Sequence, residues 1–434
     1  MTSNKQLLLF IFFAYILSTS AYPQGIGLDV LSYNLTIEPN IQKKYVEGTV
    51  LIHLKKGANE NTIILDAGAL EIEEVTGANV KSFQKKNSQL IIELSDQGQS
   101  EHKLSIRYHG YPKKGLLFNP DLEQAHTVYF TNQWMVCHDQ PDDKATFEAT
   151  ILVPKGKQCI ASGVLIRTED KEDKTHFQWR QKYETPPYTY GFVIGAFNQV
   201  SENIGDVDLH YFSAQRSEVE LKKIFEATGE ILEFLEEKSG VKYLQKSYSQ
   251  ILIGSNYQEM SGLAVFNTTY AAAVLKDSSE IHLTAHELAH QWWGNSITCR
   301  SFGHFWLNEA FAVYLATAFN EYKFGPEKYR SDIAIYKSIY DGLVKNGNDK
   351  PLVFDKWIPS RANRNVVYYK GAYVLHLLRQ ELGDQAFWKA IKAYSQQYFG
   401  KTIDTNDFQI SVEQSTGLDL DVFFDKWVYG SQNK

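Results

Sequence analysis

The strongest constraint on the fold is a change in hydrophobic periodicity near residue 213. Across residues 28–212 apolar and polar residues alternate in short runs, such as 45–52 and 90–94, which turn residues separate. Alternation with period two is typical of β-strands that bury one face. From residue 217 the apolar residues recur every three or four positions, which is typical of amphipathic helices. The chain is therefore predicted to form a β domain followed by a mainly helical domain.

A chain of 434 residues is long enough to bury two hydrophobic cores. We predict an α+β fold, with an antiparallel β sandwich or saddle at residues 22–210 and a mainly α domain at residues 211–434. No internal repeat or long linker is present, so we expect the junction near residues 206–216 without a flexible hinge. The formal net charge of -7 argues against a nucleic-acid partner, because binding phosphates requires a basic surface.

Residues 1–21 have the pattern of a secretory signal peptide. One positive charge at Lys5 precedes an apolar run at residues 7–17 and small residues at 18–21. A membrane-spanning helix needs roughly 20 apolar residues, and this run is shorter, so a signal peptide is favoured over an uncleaved anchor. The mature chain is expected to be secreted or periplasmic and to have no stable membrane span.

The chain has three cysteines, and an odd number cannot form a closed disulfide framework. A bridge between Cys137 and Cys159 could form in an oxidising compartment. Three buried thiols that act as small apolar residues are an equally good interpretation. The disulfide state therefore stays open at this point.

The helical half contains two histidines with the spacing of a metal site. His286 and His290 are four positions apart in a segment that is predicted as one helix over residues 277–293, so their imidazoles lie on one helical face. Together with Glu287 they form the pattern H-E-x-x-H, in which the histidines bind zinc and the glutamate is the general base. The alternative is a helix whose two histidines bind no metal.

A catalytic zinc ion usually takes three protein ligands and leaves a fourth position for water. Glu309 is the candidate for the third ligand, because it opens the next predicted helix and the loop 294–305 is long enough to lay that helix beside the first. The alternative is a first-turn glutamate that the helix dipole favours. His282 would lie about 6 Å along the helix axis from His286, so it is not expected to share an ion with His290.

Residues 286–295 and 306–309 resemble the metal-site signature of the M1 (gluzincin) family of zinc aminopeptidases. Residues 137–147 are similar to the family's Cys-x-Asp-Glu-Pro and Lys-Ala-Thr-Phe segment, with Gln140 in place of the Glu, and residues 418–430 look like the close of its catalytic domain. The likeness spans nearly the whole mature chain. It implies a thermolysin-like zinc peptidase domain after the β domain.

The resemblance implies one zinc ion (Zn2+) per chain, with His286, His290 and Glu309 as its ligands. The resemblance ends with residues 418–430, so we expect no counterpart of the helical C-terminal domain that caps the cleft in larger relatives. We therefore expect a cleft that is more open on that side, unless a homodimer covers it.

The resemblance also implies roles that spacing alone could not assign. The family's exopeptidase segment Gly-x-Met-Glu-Asn aligns with residues 256–260, where only Glu259 is kept, and this carboxylate is expected to bind the substrate's ammonium group. A second polar anchor from the β domain is expected, and Gln133 is the nearest candidate. Residues 368–372 resemble the family's Tyr-x-Lys-Gly-Ala pattern, which makes Tyr368 the expected hydrogen-bond donor to the oxyanion.

These residues predict a zinc-dependent aminopeptidase that releases the N-terminal residue of peptides with a free amino terminus. A metal-activated water hydrolyses the bond, with Glu287 as general base and Tyr368 stabilising the oxyanion. A zinc endopeptidase on the same scaffold is the first alternative, because the segment around Glu259 is altered. An epoxide hydrolase of the leukotriene type and a non-catalytic binding module that keeps the fold are the others.

Overall fold

The computed structural model describes residues 27–57, 60–95 and 98–430. The predicted signal peptide lies outside the described residues. Two hydrophobic cores are present, one formed mainly by strands of the first half and one mainly by helices of the second. The predicted α+β fold, a β-rich domain followed by a helical one, is confirmed.

The strands of the β domain are short and follow one another along the chain. They are β1 (Asp29–Asn40), β2 (Tyr45–Lys55), β3 (Thr62–Asp66), β4 (Glu71–Gly77), β5 (Val80–Lys86), β6 (Gln89–Leu94), β7 (Glu101–Gly110), β8 (Gly115–Asn119), β9 (Gln124–Val128), β10 (Ala145–Pro154), β11 (Gln158–Ala161), β12 (Val164–Lys171), β13 (Lys174–Thr185) and β14 (Phe192–Gly195).

Three sheets build this domain. Their strand orders are β12-β13-β10-β1-β2-β7-β4, β11-β14-β9-β8 and β3-β6-β5. Pairing is antiparallel except between β1 and β10, which run parallel from Ser32 opposite Thr146 to Ile37 opposite Ile151. Every second residue of β7 is buried, as the period of two requires when one face of a strand packs on a core.

The second half contains seven strands and most of the helices. The strands are β15 (Asn198–Ile204), β16 (Val207–Ser213), β17 (Ser247–Leu252), β18 (Gln258–Met260), β19 (Leu263–Phe266), β20 (Thr298–Cys299) and β21 (Thr402–Ile403). The α-helices are α1 (Glu218–Ile224), α2 (Thr228–Ser239), α3 (Tyr270–Lys276), α4 (His282–Ala289), α5 (Trp306–Phe324), α6 (Pro326–Lys345), α7 (Arg361–Asn365), α8 (Gly371–Leu382), α9 (Asp384–Tyr398), α10 (Thr405–Thr416) and α11 (Asp421–Trp427).

A five-stranded sheet of order β15-β16-β17-β19-β18 lies between the two cores. Its side chains alternate, so that Tyr211 and Leu252 pack in the helical core, whereas their neighbours Phe212 and Ile251 pack in the β-domain core. The boundary that the sequence predicted between residues 210 and 211 falls inside β16. The two domains therefore share this sheet, with one face of it in each core.

The segment predicted as one helix over residues 277–293 is shorter in the structure. Asp277 is the extended C-cap of α3, and its carboxylate accepts the Ser279 N–H at 3.0 Å. That turn leaves α4 to begin at His282, without a side-chain cap. His290 caps the C-terminus of α4 with helical dihedral angles, so it stays on the same face as His286.

Two further expectations concern thiols and membrane spans. Cys137, Cys159 and Cys299 are free and buried, so the bridge considered between the first two is not formed. Within residues 27–57, 60–95 and 98–430, no helix is both long enough and apolar enough to cross a bilayer.

Candidate metal centre

Two adjacent helices bring three candidate metal ligands together. His286 lies on α4, His290 caps it, and Glu309 lies in the first turn of α5. The Nε2 atoms of the two histidines are 3.1 Å apart, and Glu309 Oε2 lies 3.5 Å from each of them. All three side chains are buried. Three ligand atoms from two helices therefore converge on one point.

The chemistry of this group fits a zinc ion. Among the residues that the structure describes, neither carboxylate oxygen of Glu309 has a hydrogen-bond partner, and a buried carboxylate without partners is costly. His290 Nδ1 lies 3.1 Å from the Trp293 carbonyl oxygen, so Nδ1–H can donate outward while the Nε2 lone pair faces the group. Two imidazoles and one carboxylate are a usual ligand set of catalytic zinc.

Two more carboxylates border the same space. Glu287 is buried beside His286, and its Oε2 has no hydrogen-bond partner within the described part of the chain. Glu259 lies on β18, the edge strand of the shared sheet. Ligand atoms of Glu259, Glu287 and His290 lie within 4.8 Å of one another. Glu287 is therefore placed to act as an acid or base next to the ligands, and Glu259 is placed to pair with an ammonium group.

Burial and mutual charge shift the pKa values in this group. Burial raises the pKa of Glu287 well above its usual value, against the opposing effect of His290. Burial likewise raises the pKa of Glu259 to about 7. Burial would also raise the pKa of Glu309, but the two histidines outweigh it and lower that pKa. Burial would lower the pKa of His290, yet the surrounding carboxylates raise it. Metal binding to such a group is coupled to proton release, because imidazole and carboxylate bind a metal in their deprotonated forms.

Tyr368 faces the ligands from a five-residue π-helix, Val366–Lys370. Its ring stacks on the His286 ring with centroids 6.2 Å apart and planes 16° apart. Burial raises the pKa of its phenol, and the charges of Glu309 and Glu259 raise it further, so the hydroxyl stays protonated and can donate. The neighbouring Tyr369 instead packs against the ring of Tyr336.

Two contacts hold the π-turn in place. The buried Lys370 donates from Nζ to Asp349 Oδ1 at 2.6 Å and to the Lys350 carbonyl oxygen at 2.7 Å. Gly371 approaches α5 so closely that a Cβ atom there would lie 2.6 Å from the Ala310 Cβ. This close approach brings the turn that carries Tyr368 beside the residue after Glu309.

The β domain contributes Tyr129 to the site, a residue that the sequence analysis did not identify. The Tyr129 hydroxyl donates to Glu259 Oε2 at 3.1 Å, and its backbone N–H donates to Gln258 Oε1 at 2.7 Å. Gln133 has a different partner, since its amide donates to Asn132 Oδ1 within the β domain. The role expected for Gln133 in substrate binding stays a prediction, whereas Tyr129 contacts Glu259 directly.

Tyr129 was missed because its position depends on an unusual backbone. Tyr129 and Phe130 both have φ of 47°, in the left-handed region, where a non-glycine residue costs on the order of 1–3 kcal/mol. Lys114 Nζ lies 4.1 Å from the centre of the Phe130 ring and adds a cation–π contact to the turn. Two aromatic residues that follow an alternating run predict a continued β-strand. The sequence therefore contains no indication of the left-handed turn at Tyr129 and Phe130.

Each half of the chain matches a protein-family model. Residues 30–189 match the model described as "Peptidase M1 N-terminal domain". Residues 224–427 match the model described as "Peptidase family M1 domain". The segment between the matches holds β15 and β16 of the shared sheet.

Several aminopeptidases are similar in sequence. "Probable aminopeptidase 2" of Sulfurisphaera tokodaii is 23% identical over 421 residues, which cover 91% of this chain and 53% of that protein. "Leucine aminopeptidase 2" of Aspergillus clavatus is 29% identical over 316 residues, which cover 68% of this chain and 50% of that protein. The chain thus spans about half the length of the curated relatives it matches.

A solved structure resembles the fold over nearly its full length. The M1 zinc metallopeptidase from Deinococcus radiodurans has a TM-score of 0.78 at 22% identity, covering 94% of this chain and 95% of that one. A mutant of that M1 zinc metallopeptidase, solved with a Tyr-Ser-Ala substrate, has the same TM-score at 21% identity and covers the same shares of the two chains. At this identity the likeness shows a shared fold.

Proposed function

The chain belongs to peptidase family M1, and from this premise we propose that it is a zinc-dependent aminopeptidase that releases the N-terminal residue of peptides. One observation carries the proposal, the convergence of His286, His290 and Glu309 in a buried group that Glu287 and Glu259 border. The first three residues hold the metal. The other two are a base and a partner for the substrate's ammonium group.

Glu287 acts as the general base. When bound, a zinc ion supplies a Lewis acid that polarises the scissile carbonyl and lowers the pKa of a water molecule towards about 7. The Glu287 carboxylate lies beside the ligands and has an oxygen without a partner among the described residues, so it can accept the proton of the attacking water. It then delivers that proton to the leaving amine.

Tyr368 stabilises the negative charge that develops on the carbonyl oxygen. Its raised pKa keeps the phenol protonated at neutral pH, and its ring lies against His286. Loss of one such donor typically costs about 3 to 4 kcal/mol of transition-state stabilisation.

Glu259 and Tyr129 hold the substrate's amino terminus. Glu259 is a buried carboxylate, and the Tyr129 hydroxyl that donates to it can also accept one N–H of an ammonium group. Because β18 is an edge strand, a peptide can add to it through main-chain hydrogen bonds that tolerate different side chains. With its ammonium group held at Glu259, the peptide places its first peptide bond at the ligands.

The test compares one peptide that has a free amine with its N-acetylated copy, each with and without a chelator. We expect chelator-sensitive release of the first residue from the free peptide alone. Internal cleavage of both peptides would favour the endopeptidase instead, and cleavage that survives complete zinc removal would contradict the proposal.

We also propose that the protein is exported from the cytoplasm and that its signal peptide is removed. The support is the pattern of Lys5, the apolar run at 7–17 and the small residues at 18–21. N-terminal sequencing of the protein recovered outside the cytoplasm is expected to begin at Tyr22. A chain that stays in the cytoplasm with its first residues intact would contradict export.

A further inference from the structure

A turn of the β domain lies among the elements that carry the metal ligands. The 3-10 turn Pro187–Thr189 is fully buried. The hydroxyl of Tyr188 donates to the Gly294 carbonyl oxygen at 2.8 Å and accepts from Asn308 Nδ2 at 3.0 Å. Gly294 lies four positions after His290, and Asn308 directly precedes Glu309. One phenol therefore connects the backbone just after one ligand to the side chain just before another.

The loop between these two points is bonded to the same groups. The Cys299 N–H donates to Asn308 Oδ1 at 3.1 Å, and the Thr298 hydroxyl donates to the Gly294 carbonyl oxygen at 2.8 Å. All of these groups are buried. The Tyr188 hydroxyl completes a closed set of hydrogen bonds around the loop that joins the two ligand-bearing helices.

The same turn contacts the strand that carries Glu259. The Gln258 amide points at the Tyr188 carbonyl oxygen at 3.5 Å, and the Ser261 N–H donates to the Thr189 carbonyl oxygen at 2.9 Å. These contacts lie on either side of Glu259. The turn thus contacts all three elements of the site, which are α4 with its cap, the start of α5, and β18.

The turn is itself fixed in the β domain. The Thr131 hydroxyl donates to the Pro187 carbonyl oxygen at 2.7 Å, and the Thr189 N–H donates to the Pro186 carbonyl oxygen at 3.0 Å. The position of the Tyr188 hydroxyl is therefore set by the β domain, while its partners belong to the helical domain.

We propose that Tyr188 is a positioning residue for the metal, whose hydroxyl holds the turn after His290 and the start of α5 at the separation that one zinc ion requires. This inference rests on the proposed function, because it takes zinc as the occupant of the group. It adds to the proposed function that the zinc affinity of the helical domain depends on a residue of the β domain. The physical reason is that three ligands on two helices bind tightly only if the helices are already held at the correct distance.

Tyr190 provides a matched control. It is buried like Tyr188, and its hydroxyl lies 2.8 Å from the carbonyl oxygens of both Ala145 and Thr185, which share its single proton. Both partners belong to the β domain. Tyr190→Phe therefore removes an equally buried hydroxyl without touching an element that carries a ligand.

The experiment measures zinc affinity of the full chain and of both Phe variants by competition with a chromophoric chelator. Visible absorption of the Co2+-substituted proteins reports the ligand geometry, and thermal unfolding of the metal-free proteins reports stability. For Tyr188→Phe we expect zinc affinity to fall about 10-fold or more, as for other residues that orient metal ligands, with altered Co2+ bands. Tyr190→Phe should lose stability but keep the zinc affinity and the spectrum of the unchanged protein.

Unchanged zinc affinity and Co2+ spectrum in Tyr188→Phe would overturn the proposal. Should that variant not fold, Asn308→Ala breaks the same bond from the other side, and unchanged zinc affinity there would overturn it equally. If the unchanged chain binds zinc but releases no residue from peptides, the proposed aminopeptidase fails, while the comparison of the variants still decides the role of Tyr188.

Discussion

At the residue scale, the site concentrates charge in a buried space. Glu259, Glu287 and Glu309 are each at most 3% exposed and surround two imidazoles. Three carboxylates at this distance repel one another unless positive charge or protons balance them. A cation on the three ligand atoms supplies that charge, so its removal should alter both protonation and binding.

Glu287→Gln separates metal binding from catalysis. The amide has nearly the shape of the carboxylate and leaves the ligands untouched, but it cannot accept a proton. We expect bound zinc to be retained and kcat to fall on the order of 10²- to 10⁴-fold. Elemental analysis and peptide hydrolysis on the same preparation check this, and turnover like that of the unchanged chain would refute the role of Glu287.

Tyr129→Phe should shift the pH dependence of substrate binding. Glu259 binds an ammonium group only as a carboxylate, so binding is complete above the pKa of Glu259 and is lost as the pH falls through it. The Tyr129 hydrogen bond lowers this pKa, which burial has raised to about 7. Removing the hydroxyl raises the pKa again, so the rise in KM at low pH should begin at a higher pH.

A pH series of KM and kcat on a peptide with a free amine makes this measurement. Tyr257→Phe is the control, because Tyr257 lies two positions before Glu259 and packs on Phe266 and Tyr270 in the helical core. The same KM profile in both variants would contradict the role of Tyr129.

At the scale of elements, the site depends on how closely the π-turn and α8 approach α5. Gly371 lies so close to Ala310 that there is no room for a side chain between them. The hydrogen bond from Lys370 to Asp349 also holds the turn in place. Extra methyl groups in a packed contact usually force backbone shifts. The position of Tyr368 therefore depends on a glycine three positions away.

Gly371→Ala should lower stability by about 1–3 kcal/mol and reduce kcat more than KM, because the displaced turn carries the oxyanion donor. Gly342→Ala on α6 is the control, since a Cβ there meets nothing within 4 Å and alanine favours a helix by roughly 0.5–1 kcal/mol. Chemical denaturation and steady-state kinetics of both variants check the prediction. A loss of stability with unchanged kcat would show that the turn does not position Tyr368.

At the scale of the whole molecule, one sheet joins the two domains. Phe212, Ile251 and Val265 reach into the β-domain core from strands whose other face supports the helices. Separating the domains would expose these side chains to water at about 25 cal/mol per Å² of apolar surface. The domains should therefore unfold together.

Calorimetry of the full chain is expected to show one unfolding transition, and zinc should raise its temperature because only the folded chain binds the ion. A chelator should lower the whole transition again. Two separate transitions, of which zinc moves only one, would contradict the coupling of the domains.

Features that arise between residues close together in the chain could be predicted from the sequence, whereas contacts between distant residues could not. The change of periodicity indicated strands and then helices, and the four-residue spacing put His286 and His290 on one face, because both patterns arise within a few turns of backbone. Resemblance to a known family added Glu259 and Tyr368. The start of α4 was placed too early, because Asp277 forms a turn with Ser279 where the helix was expected to begin.

The sequence by itself therefore determined the order of the domains and the local arrangement of the metal-binding helix. Only the tertiary structure decided what the β domain brings to the site. Tyr129 and Glu259 are 130 positions apart, and Tyr188 and Asn308 are 120 apart. Such pairs leave no periodic trace in the sequence, because they form only when the packed sheets and the left-handed turn at Tyr129 place a β-domain hydroxyl beside the helical domain.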